Sequence, residues 1–558
     1  MRIAIIGGVA GGASAAARAR RINEHAEITI YEQGPYVSYA NCGLPYYVGG
    51  LIQDPADLLL ETPESFWDRY RVRVLTHARV TDVDPNSGNL RYEAGLDARE
   101  ARFDHLILAP GAEPIIPALE GLERPDVYRL RTVPDALRLR DRLDSSSVRH
   151  AVIVGAGFIG LEMAEVLHQH GIAVTIVDKA PHVLPPMDED IARFLELRLQ
   201  DMGIVLHMSS TLKGIYGAVN APVVELTSGT RIAADMVLIG LGVRPSIQLA
   251  RQMGLALGPS GALQVDPGMR TSHRQVWAAG DAVEKFDLVT GRPQWFPLAG
   301  VANKEGRVAG TNAAGGQATL RGAVGTAIVR VAPYMAGVTG LTEDRARREN
   351  IPHRVLHTIR GHHAGYYPGA SDLLMKLLYH PADGRILGAQ AIGTDGVDKR
   401  IDVIATAMHG RMTIDDLADL DLAYAPPIGA AKDPAIITGM AAANHKELLV
   451  DSITAEVLSQ WMKATKPPVL VDLRDHHELV ETGVIAGARH IPLNDLRSRL
   501  DELPSSGPMV LYCRSGHRSY VAARILRQHG RDSVYNLSGG ITVWRLTQPT
   551  TALTAQKA

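Results

Sequence analysis

The chain contains only two cysteines among its 558 residues, and this scarcity limits the redox chemistry that it can perform. Cys42 stands in the stretch SYANCGLPYYVGG, and Cys513 stands in YCRSGHRSY. Neither stretch contains a second thiol, which excludes a dithiol relay of the Cys-x-x-Cys type within either one. The flanking residues are polar and glycine-rich, which favours an active-site loop over a small buried hydrophobic residue. We therefore expect each cysteine to react with a sulfur atom that a substrate supplies.

The sequence also lacks a strong net charge and any long hydrophobic run. Its formal net charge is -2 and its pI is ≈ 6.9, which argues against nucleic acid as the main partner. No stretch approaches the roughly 18 uninterrupted apolar residues of a membrane helix, so we expect no membrane span. A signal peptide is the alternative for the N-terminal apolar run, but paired glycines interrupt that run and arginines follow it closely. The scarcity of cysteine favours a reducing compartment, and we expect a cytoplasmic protein.

A glycine turn opens the chain. The stretch RIAIIGGVAGG predicts a buried strand, a turn and an alanine-rich helix, and the next predicted strand, EITIYE, ends in Glu32. Gly7 permits the tight turn, Gly12 permits close helix packing, and the Glu32 carboxylate can hold a ribose diol. Val9 departs from the usual second glycine, so an ordinary βαβ unit stays open as the alternative to a dinucleotide site.

A second glycine turn follows the pattern more closely. Gly155, Gly157 and Gly160 come directly after an apolar strand in AVIVGAGFIGLEMAEVL, and the following predicted strand ends in Asp178. An acid at that position favours a free ribose 2′-hydroxyl and hence NADH, because it would repel a 2′-phosphate. Lys179 adjoins it and weakens this inference, so NADPH stays open as the alternative.

These two folds, together with LILAPGAEP, GLGVRPS and the later WAAGDAVE, resemble the flavin-dependent pyridine nucleotide-disulfide reductases over residues 1 to about 445. In that family the first fold holds FAD and the second, which interrupts it, holds the nicotinamide cofactor. The resemblance implies FAD contacts at Gly7, Ala10, Gly11, Gly12, Glu32, Gln33, Val80, Gly111, Asp281 and Ala299. It implies NADH contacts at Gly155, Gly157, Gly160, Asp178 and Gly242.

The classical members carry two cysteines near the flavin, and that pair is missing here. The stretch around Cys42 resembles the single-cysteine branch, which includes coenzyme A-disulfide reductases, NADH oxidases and NADH peroxidases. In that branch the cysteine packs beside the flavin, through which two electrons from NADH reach sulfur. The oxidases and peroxidases place a histidine where this chain has Ala10, and a missing general acid commonly costs ~10²–10⁴ in rate.

The stretch VAGGASAAARARR is similar to the coenzyme A-disulfide reductases, and this similarity implies the substrate contacts. The implied coenzyme A contacts are Ser14, Arg18, Arg21, Ser38, Asn41 and Lys432, since guanidinium groups suit its phosphates. The stretches HHAGYYPGA and DLAYAPPIGAAKD resemble the dimerisation domain of that subfamily, which implies a homodimer. Tyr367 and Tyr424 correspond to tyrosines that reach the cysteine of the partner subunit. The paired histidines at 362 and 363 have no spacing that predicts a metal site.

After AANHKELL the pattern of short apolar strands and helices begins again. This part resembles the rhodanese family at Asp472, Arg474, Cys513, Arg518, Gly539, Gly540 and Trp544. Its loop CRSGHR follows a strand and precedes a helix, so we expect backbone N–H groups and arginines to stabilise a sulfur anion on Cys513. The Cys-x5-Arg cradle of phosphatases is the alternative for this loop.

The predicted fold class is α/β, with two nested Rossmann-like dinucleotide-binding domains, an α+β dimerisation domain and a C-terminal α/β rhodanese domain. The expected boundaries are 1–147 and 266–320 for FAD, 148–265 for NAD(P)H, 321–445 for dimerisation, 446–455 for a linker and 456–550 for the rhodanese. The predicted function is NADH-dependent reduction of coenzyme A persulfide, polysulfide and coenzyme A disulfide through Cys42, with sulfur transfer at Cys513. An NADH oxidase or peroxidase, and a sulfur carrier or redox sensor, are the alternatives.

Overall fold

The computed structural model describes residues 1–145 and 148–548 in full and the backbone of 553–554. The expected domain ends at residues 147 and 550 therefore lie outside the described residues. The chain divides into two compact units: unit 1 comprises residues 1–180 and 202–325, and unit 2 comprises residues 181–201 and 326–558. None of the described helices is long and apolar enough to cross a membrane.

Unit 1 contains two five-stranded parallel sheets, one for each glycine turn. The strand order of the first sheet is Val276–Ala278, His105–Leu108, Arg2–Ile6, Glu27–Tyr31 and Val72–Leu75. The strand order of the second sheet is Val205–His207, Ala173–Val177, His150–Val154, Met236–Ile239 and Val127–Tyr128. After their first residues, Arg2 and His150, both central strands are apolar runs, as strands covered on both faces require.

Helices cover these sheets and small antiparallel sheets accompany them. The α-helices of unit 1 are Ala10–Ile22, Leu44–Val48, Pro63–Tyr70, Val133–Asp144, Phe158–Gln169, Gln248–Gln252 and Ala299–Ala313. The 3-10 helices are Asn41–Gly43 and Pro55–Leu58. The antiparallel strands are Ala78–Asp84 with Asn89–Ala94 and Asp97–Arg102, Leu212–Ala218 with Ala221–Leu226 and Arg231–Ala233, Ala112–Pro114 with Val243–Pro245, and Lys285–Phe286 with Pro293–Gln294.

Unit 2 contains an antiparallel sheet and a parallel sheet. The strand order of the antiparallel sheet is Ala327–Val331, Tyr334–Gly340, Ile386–Gly393, Asp372–Tyr379 and Arg354–Gly361, with helices Glu189–Asp201, Glu343–Arg348, Val397–His409, Ile414–Ala418 and Pro434–Lys446. The strand order of the parallel sheet is Asp451–Ile453, Val534–Leu537, Met509–Tyr512, Val469–Asp472 and Arg489–His490. The α-helices beside this sheet are Ala455–Met462, His476–Thr482, His517–Gln528 and Gly540–Thr547. The 3-10 helices are Leu496–Ser498 and Leu500–Glu502, and the strands Val484–Ile485 and Leu553–Thr554 form a separate antiparallel pair.

A buried ion cluster holds residues 181–201 in unit 2, although the sequence places them inside the expected nucleotide domain. Lys376, on the strand Asp372–Tyr379, has its Nζ atom 3.0 Å from Asp188 Oδ2, 2.9 Å from Asp190 Oδ2 and 2.8 Å from Glu343 Oε2. Because an unpaired buried ammonium is costly, these partners fix the segment to the antiparallel sheet.

The segment 446–455, expected to be a linker, contains a short strand. Its residues Asp451–Ile453 pair in parallel with the strand Val534–Leu537 of the C-terminal sheet. This strand precedes the boundary expected at 456. The contact of the C-terminal domain with the antiparallel sheet includes a hydrogen bond from the His357 backbone N–H to Ser538 Oγ at 2.7 Å.

Candidate active sites

The first glycine turn has the close contacts that require glycine. A Cβ atom on Gly12 would lie 1.9 Å from the carbonyl oxygen of Gly7, which itself has φ +92°. Glu32, at the end of the second strand, accepts the backbone N–H of Gly8 at 2.8 Å through Oε2 and that of Gly34 at 2.8 Å through Oε1. The acid thus shapes the turn, and each carboxylate oxygen keeps a lone pair for a ribose hydroxyl.

The second glycine turn repeats this design. A Cβ atom on Gly160 would lie 1.9 Å from the carbonyl oxygen of Gly155, whereas one on Gly157 would meet nothing within 4 Å. Asp178 Oδ2 accepts the backbone N–H of Ala156 at 2.6 Å. The open space at Gly157, beside the N-terminus of the helix Phe158–Gln169, fits a pyrophosphate group.

Asp281, in the GD motif, belongs to a buried group of charges that also includes Lys285 and Glu305. Lys285 Nζ lies 3.7 Å from Glu305 Oε1, and Glu305 Oε2 accepts the backbone N–H of Gly280 at 2.7 Å. Burial raises the pKa of Asp281, and it raises that of Glu305 to about 7. Within the described chain, Glu305 Oε1 is buried without a hydrogen-bond partner. Such groups fit a bound polyol, and the ribityl chain of FAD is one.

Cys42 lies in the 3-10 helix Asn41–Gly43 and is exposed by area. Neighbouring atoms still partly enclose its sulfur, and this desolvation, followed by the negative charges of Glu162 and Asp281, raises the pKa of the thiol. The adjacent Asn41 Oδ1 is buried and has no hydrogen-bond partner among the described residues. An unpaired acceptor beside an accessible thiol fits the binding of a substrate that donates a hydrogen bond.

Glu162 is a residue of this site that sequence reasoning missed. It lies on the helix Phe158–Gln169, where burial is the main cause that raises its pKa to about 7. The Tyr46 hydroxyl donates to Glu162 Oε1 at 3.4 Å. An acid that is half protonated near neutral pH can give or take a proton in sulfur chemistry. The available signal was the two carboxylates, Glu162 and Glu165, within the otherwise apolar stretch GLEMAEVL.

The expected coenzyme A contacts of unit 1 lie on the helix Ala10–Ile22, apart from Ser38 and Asn41. Ser14 Oγ donates to Asn303 Oδ1 at 2.9 Å, and Arg18 Nε donates to Thr311 Oγ1 at 2.9 Å. Arg21 is exposed and stacks over the Tyr70 ring, 5.5 Å from its centroid. Neither arginine forms an ion pair within the described chain. Their remaining donors suit an anionic ligand.

The other expected cofactor residues of unit 1 take varied positions. Val80 is buried, whereas Gln33 and Ala299 are exposed. Gly111 and Gly242 both have positive φ values, of 72° and 88°, that favour glycine. Their roles in cofactor binding stay predictions.

The expected dimer-facing residues of unit 2 are exposed. Tyr367 is 42% exposed and Tyr424 is 47% exposed, while Lys432 lies on an exposed loop. Tyr424 shares a hydrogen bond of 2.9 Å with Tyr366, which sequence reasoning did not select. This bond is the main cause that raises the pKa of Tyr424. Tyr424 therefore keeps its hydroxyl proton at neutral pH.

Cys513 is buried in its loop, and hydrogen-bond donors surround the sulfur. The backbone N–H of Gly516 donates to Sγ at 3.2 Å, and the Ser519 hydroxyl lies 3.6 Å from it. Arg518 instead pairs with Glu478 through two contacts of 2.6 and 2.7 Å. The second loop arginine, Arg514, pairs with Asp372. The sulfur is thus held mainly by backbone and hydroxyl donors, and both arginines are neutralised.

The phosphatase alternative for this loop fails on spacing. Only residues 514–517 separate Cys513 from Arg518, one residue fewer than the Cys-x5-Arg pattern needs. The two glycines that follow the neighbouring strand close the loop: a Cβ atom on Gly540 would lie 2.3 Å from the carbonyl oxygen of Cys513. The spacing of Cys513 and Arg518 thus disfavours the phosphatase alternative.

Three family patterns match the chain. The pattern described as pyridine nucleotide-disulphide oxidoreductase matches residues 1–306, and the dimerisation domain of the same group matches residues 326–436. A rhodanese-like domain matches residues 454–547.

Individual proteins are also similar to this chain. The NADH oxidase of Methanocaldococcus jannaschii is 33% identical over 436 residues, which cover 78% of this chain and 97% of that protein. The NAD(P)H coenzyme A polysulfide/persulfide reductase of Pyrococcus horikoshii is 35% identical over 437 residues, which cover 78% and 97%. The crystal structure of reduced CoADR-RHD from Bacillus anthracis matches with a TM-score of 0.96 at 38% identity and covers 99% of both chains.

Proposed function

This chain belongs to the pyridine nucleotide-disulphide oxidoreductase family, and on that premise we propose that it uses NADH and FAD to reduce coenzyme A persulfide, polysulfide and coenzyme A disulfide. The observation that carries the proposal is the accessible thiol of Cys42, which is the only cysteine of unit 1. A single thiol can form one mixed disulfide or one persulfide, and these are the intermediates that such substrates require. The similarity to a coenzyme A polysulfide/persulfide reductase supports the same substrate class.

The proposed reaction begins when the Cys42 thiolate attacks the outer sulfur of coenzyme A persulfide. The bond between the two substrate sulfurs breaks, coenzyme A leaves as a thiolate, and Cys42 carries a persulfide. Two electrons and one proton then convert this persulfide into hydrogen sulfide and the Cys42 thiolate. With coenzyme A disulfide, Cys42 instead forms a mixed disulfide and releases one coenzyme A thiolate.

The residues around Cys42 would hold the cofactors and manage protons. Bound FAD would carry the two electrons from NADH to sulfur. Glu32 and Asp281 fit FAD, and Asp178 fits the ribose of NADH. Glu162, whose pKa is about 7, would supply the proton that sulfide formation consumes.

Substrate binding would also involve a second subunit. Arg18 and Arg21 would contact the phosphates of coenzyme A, and Lys432 would add a positive charge. We propose a homodimer in which the exposed Tyr367 and Tyr424 approach the cysteine of the partner subunit. The matched dimerisation domain supports this arrangement.

The C-terminal rhodanese domain would supply sulfur to the reductase. Cys513 would take a sulfur atom from polysulfide or another donor and hold it as a persulfide among the donors of its loop. Coenzyme A would then accept this sulfur, and its long pantetheine arm would carry it to Cys42. A cytoplasmic location fits this chemistry, because a reducing compartment keeps both thiols free.

A second candidate function is NADH oxidase activity, which the similarity to the archaeal NADH oxidase favours. Ala10 opposes it, because the helix begins there without a proton donor. A third candidate, a sulfur carrier or redox sensor, would leave the reductase half silent, and failure of NADH to bleach the flavin would identify it.

Anaerobic steady-state kinetics separate these candidates. NADH oxidation is measured with coenzyme A persulfide, coenzyme A disulfide, polysulfide and peroxide, and oxygen consumption is measured in parallel. The proposal predicts the highest kcat/KM with a sulfur substrate. Faster turnover with oxygen or peroxide than with every sulfur substrate would contradict it.

A further inference from the structure

A cavity of about 210 Å³ in unit 2 lies against the loop that carries Cys513. Its walls come from the strand Arg354–Gly361, the helix Pro434–Lys446 and the rhodanese domain. Gly516 belongs to this wall and donates its backbone N–H to Cys513 Sγ at 3.2 Å. Gly516 therefore lines the cavity and also contacts the reactive sulfur.

Asn536 gives the cavity an unsatisfied hydrogen-bond acceptor. It lies on the strand Val534–Leu537, lines the cavity and is only 8% exposed. Its Oδ1 atom is buried and has no hydrogen-bond partner within the described part of the chain. Because an unpaired buried amide oxygen costs stability, a ligand that donates an N–H group would bind favourably here.

Positive charge borders the same cavity. Arg360 lines it and has no carboxylate partner among the described residues, and no aspartate or glutamate is part of the described lining. Burial, followed by the positive charges of Arg360, Arg518 and Lys432, lowers the pKa of His517, which also lines the cavity. Arg360 is thus an unbalanced cation in a lining without an acid, which suits an anionic group.

The rest of the lining is neutral and largely apolar. Leu356, Ile437 and Met440 contribute aliphatic side chains. His445 also lines the cavity, and burial lowers its pKa to about 4, so its ring is neutral at neutral pH. The lining thus combines an aliphatic surface, an amide acceptor and a cation at its border.

We propose that this cavity binds an anionic thiol that carries amide N–H groups and that accepts sulfur from Cys513. The proposal rests on the proposed sulfur transfer by the rhodanese domain. The acceptor thiolate attacks the outer sulfur of the Cys513 persulfide, a new sulfur–sulfur bond forms, and the old one breaks. The electron pair of the broken bond stays on Cys513 Sγ, and the proton of the persulfide moves with the outer sulfur to the acceptor. The transfer therefore needs no oxidant or reductant. Coenzyme A, through its pantetheine arm, and peptide thiols such as glutathione share this chemistry.

The test uses the full-length protein with bound FAD and the change Cys42→Ser, which leaves Cys513 as the single thiol. Thiosulfate loads Cys513 with labelled sulfur, excess donor is removed, and transfer is timed against the concentration of coenzyme A, glutathione or pantetheine. Asn536→Leu should raise the half-saturating concentration of all three acceptors about fivefold. Arg360→Gln should raise it about tenfold for the two anionic acceptors and leave it unchanged for uncharged pantetheine.

Arg330→Gln is the matched control, because Arg330 is exposed on the same antiparallel sheet and does not line the cavity. It should behave like the parent. A lower half-saturating concentration for coenzyme A than for glutathione identifies coenzyme A as the ligand, and the reverse identifies a peptide thiol. If Asn536→Leu does not fold, the contrast between pantetheine and the anionic acceptors in Arg360→Gln decides alone. Saturation curves that neither variant changes would overturn the cavity proposal, whereas failure of Cys513 to load sulfur would overturn the proposed sulfur transfer itself.

Discussion

Replacement of Glu162 by glutamine should change how the reactivity of Cys42 depends on pH. Desolvation is the largest cause that raises the pKa of Cys42, and the Glu162 carboxylate is the largest charged contribution. Glu162→Gln keeps the shape of the side chain and the burial of the thiol but removes this negative charge. The pKa of Cys42 should therefore fall, although desolvation keeps it above its ordinary value.

The size of the effect follows from the titration of Glu162 itself. Its pKa is about 7, so the carboxyl group is mostly neutral at pH 6 and mostly charged at pH 8.5. A nearby like charge commonly shifts a pKa by about one unit, which corresponds to about a tenfold change in the thiolate fraction. The parent and Glu162→Gln should thus react equally at pH 6, and the variant should react up to about tenfold faster at pH 8.5.

Alkylation of Cys42 by iodoacetamide measures this thiolate fraction directly. The experiment uses the Cys513→Ser background, so that Cys42 is the single thiol, and covers pH 6 to pH 9. Glu165→Gln is the matched control: Glu165 lies on the same helix and is not among the charges that raise the pKa of Cys42, although its charge is a minor cause of the raised pKa of Glu162, so its effect on Cys42 should be smaller. A ratio between variant and parent that stays constant across this range would refute the reasoning, and so would an equal effect of Glu165→Gln.

Three further predictions concern the cofactor, the second thiol and stability. Asp178→Ser should shift the ratio of kcat/KM values toward NADPH by about tenfold or more, since a charged hydrogen bond to the ribose contributes roughly 1.5–3 kcal/mol. If the parent already prefers NADPH, Lys179 rather than Asp178 determines the choice of cofactor. Cys513→Ser should abolish sulfur transfer from thiosulfate, and coenzyme A should no longer accelerate polysulfide reduction. NADH-dependent reduction of ready-made coenzyme A persulfide should stay nearly intact. Loss of that reduction in a folded variant would place Cys513 on the electron path. Folding lowers the pKa of His445 from 6.5 to about 4, so the free energy of unfolding should be highest above pH 6.5 and should fall toward pH 4. Urea unfolding of His445→Gln should show a smaller fall. The same dependence of the free energy of unfolding on pH in parent and variant would contradict this cause.

The sequence predicted the features that local backbone geometry dictates. The fold class, with a dimerisation domain and a C-terminal rhodanese domain, is confirmed by the matched family patterns. Gly12 was selected for close packing and Gly160 as part of the second glycine turn, and each would place a Cβ atom 1.9 Å from a carbonyl oxygen. Glu32 and Asp178 were selected at strand ends, and both lie beside their glycine turns. Such positions can be predicted from the sequence because a turn and the strand end that follows it lie close together along the chain.

Features that depend on distant partners were not predictable from the sequence. Arg518, selected for Cys513, also pairs with Glu478, which lies 40 residues earlier, and no short motif indicates this partner. The segment 181–201 belongs to unit 2 because of Lys376, which lies far along the chain. Glu162 gains its raised pKa from burial, and no short motif encodes burial of one carboxylate.

The most direct test of the central claim is anaerobic NADH oxidation by coenzyme A persulfide in the parent and in Cys42→Ser. Serine cannot form a persulfide or a mixed disulfide, whereas the sites for FAD and NADH are unchanged. The variant should keep bound FAD and its bleaching by NADH, and its persulfide turnover should fall to the background rate. Persulfide turnover comparable to the parent in a variant that still binds FAD would show that Cys42 is not the nucleophile.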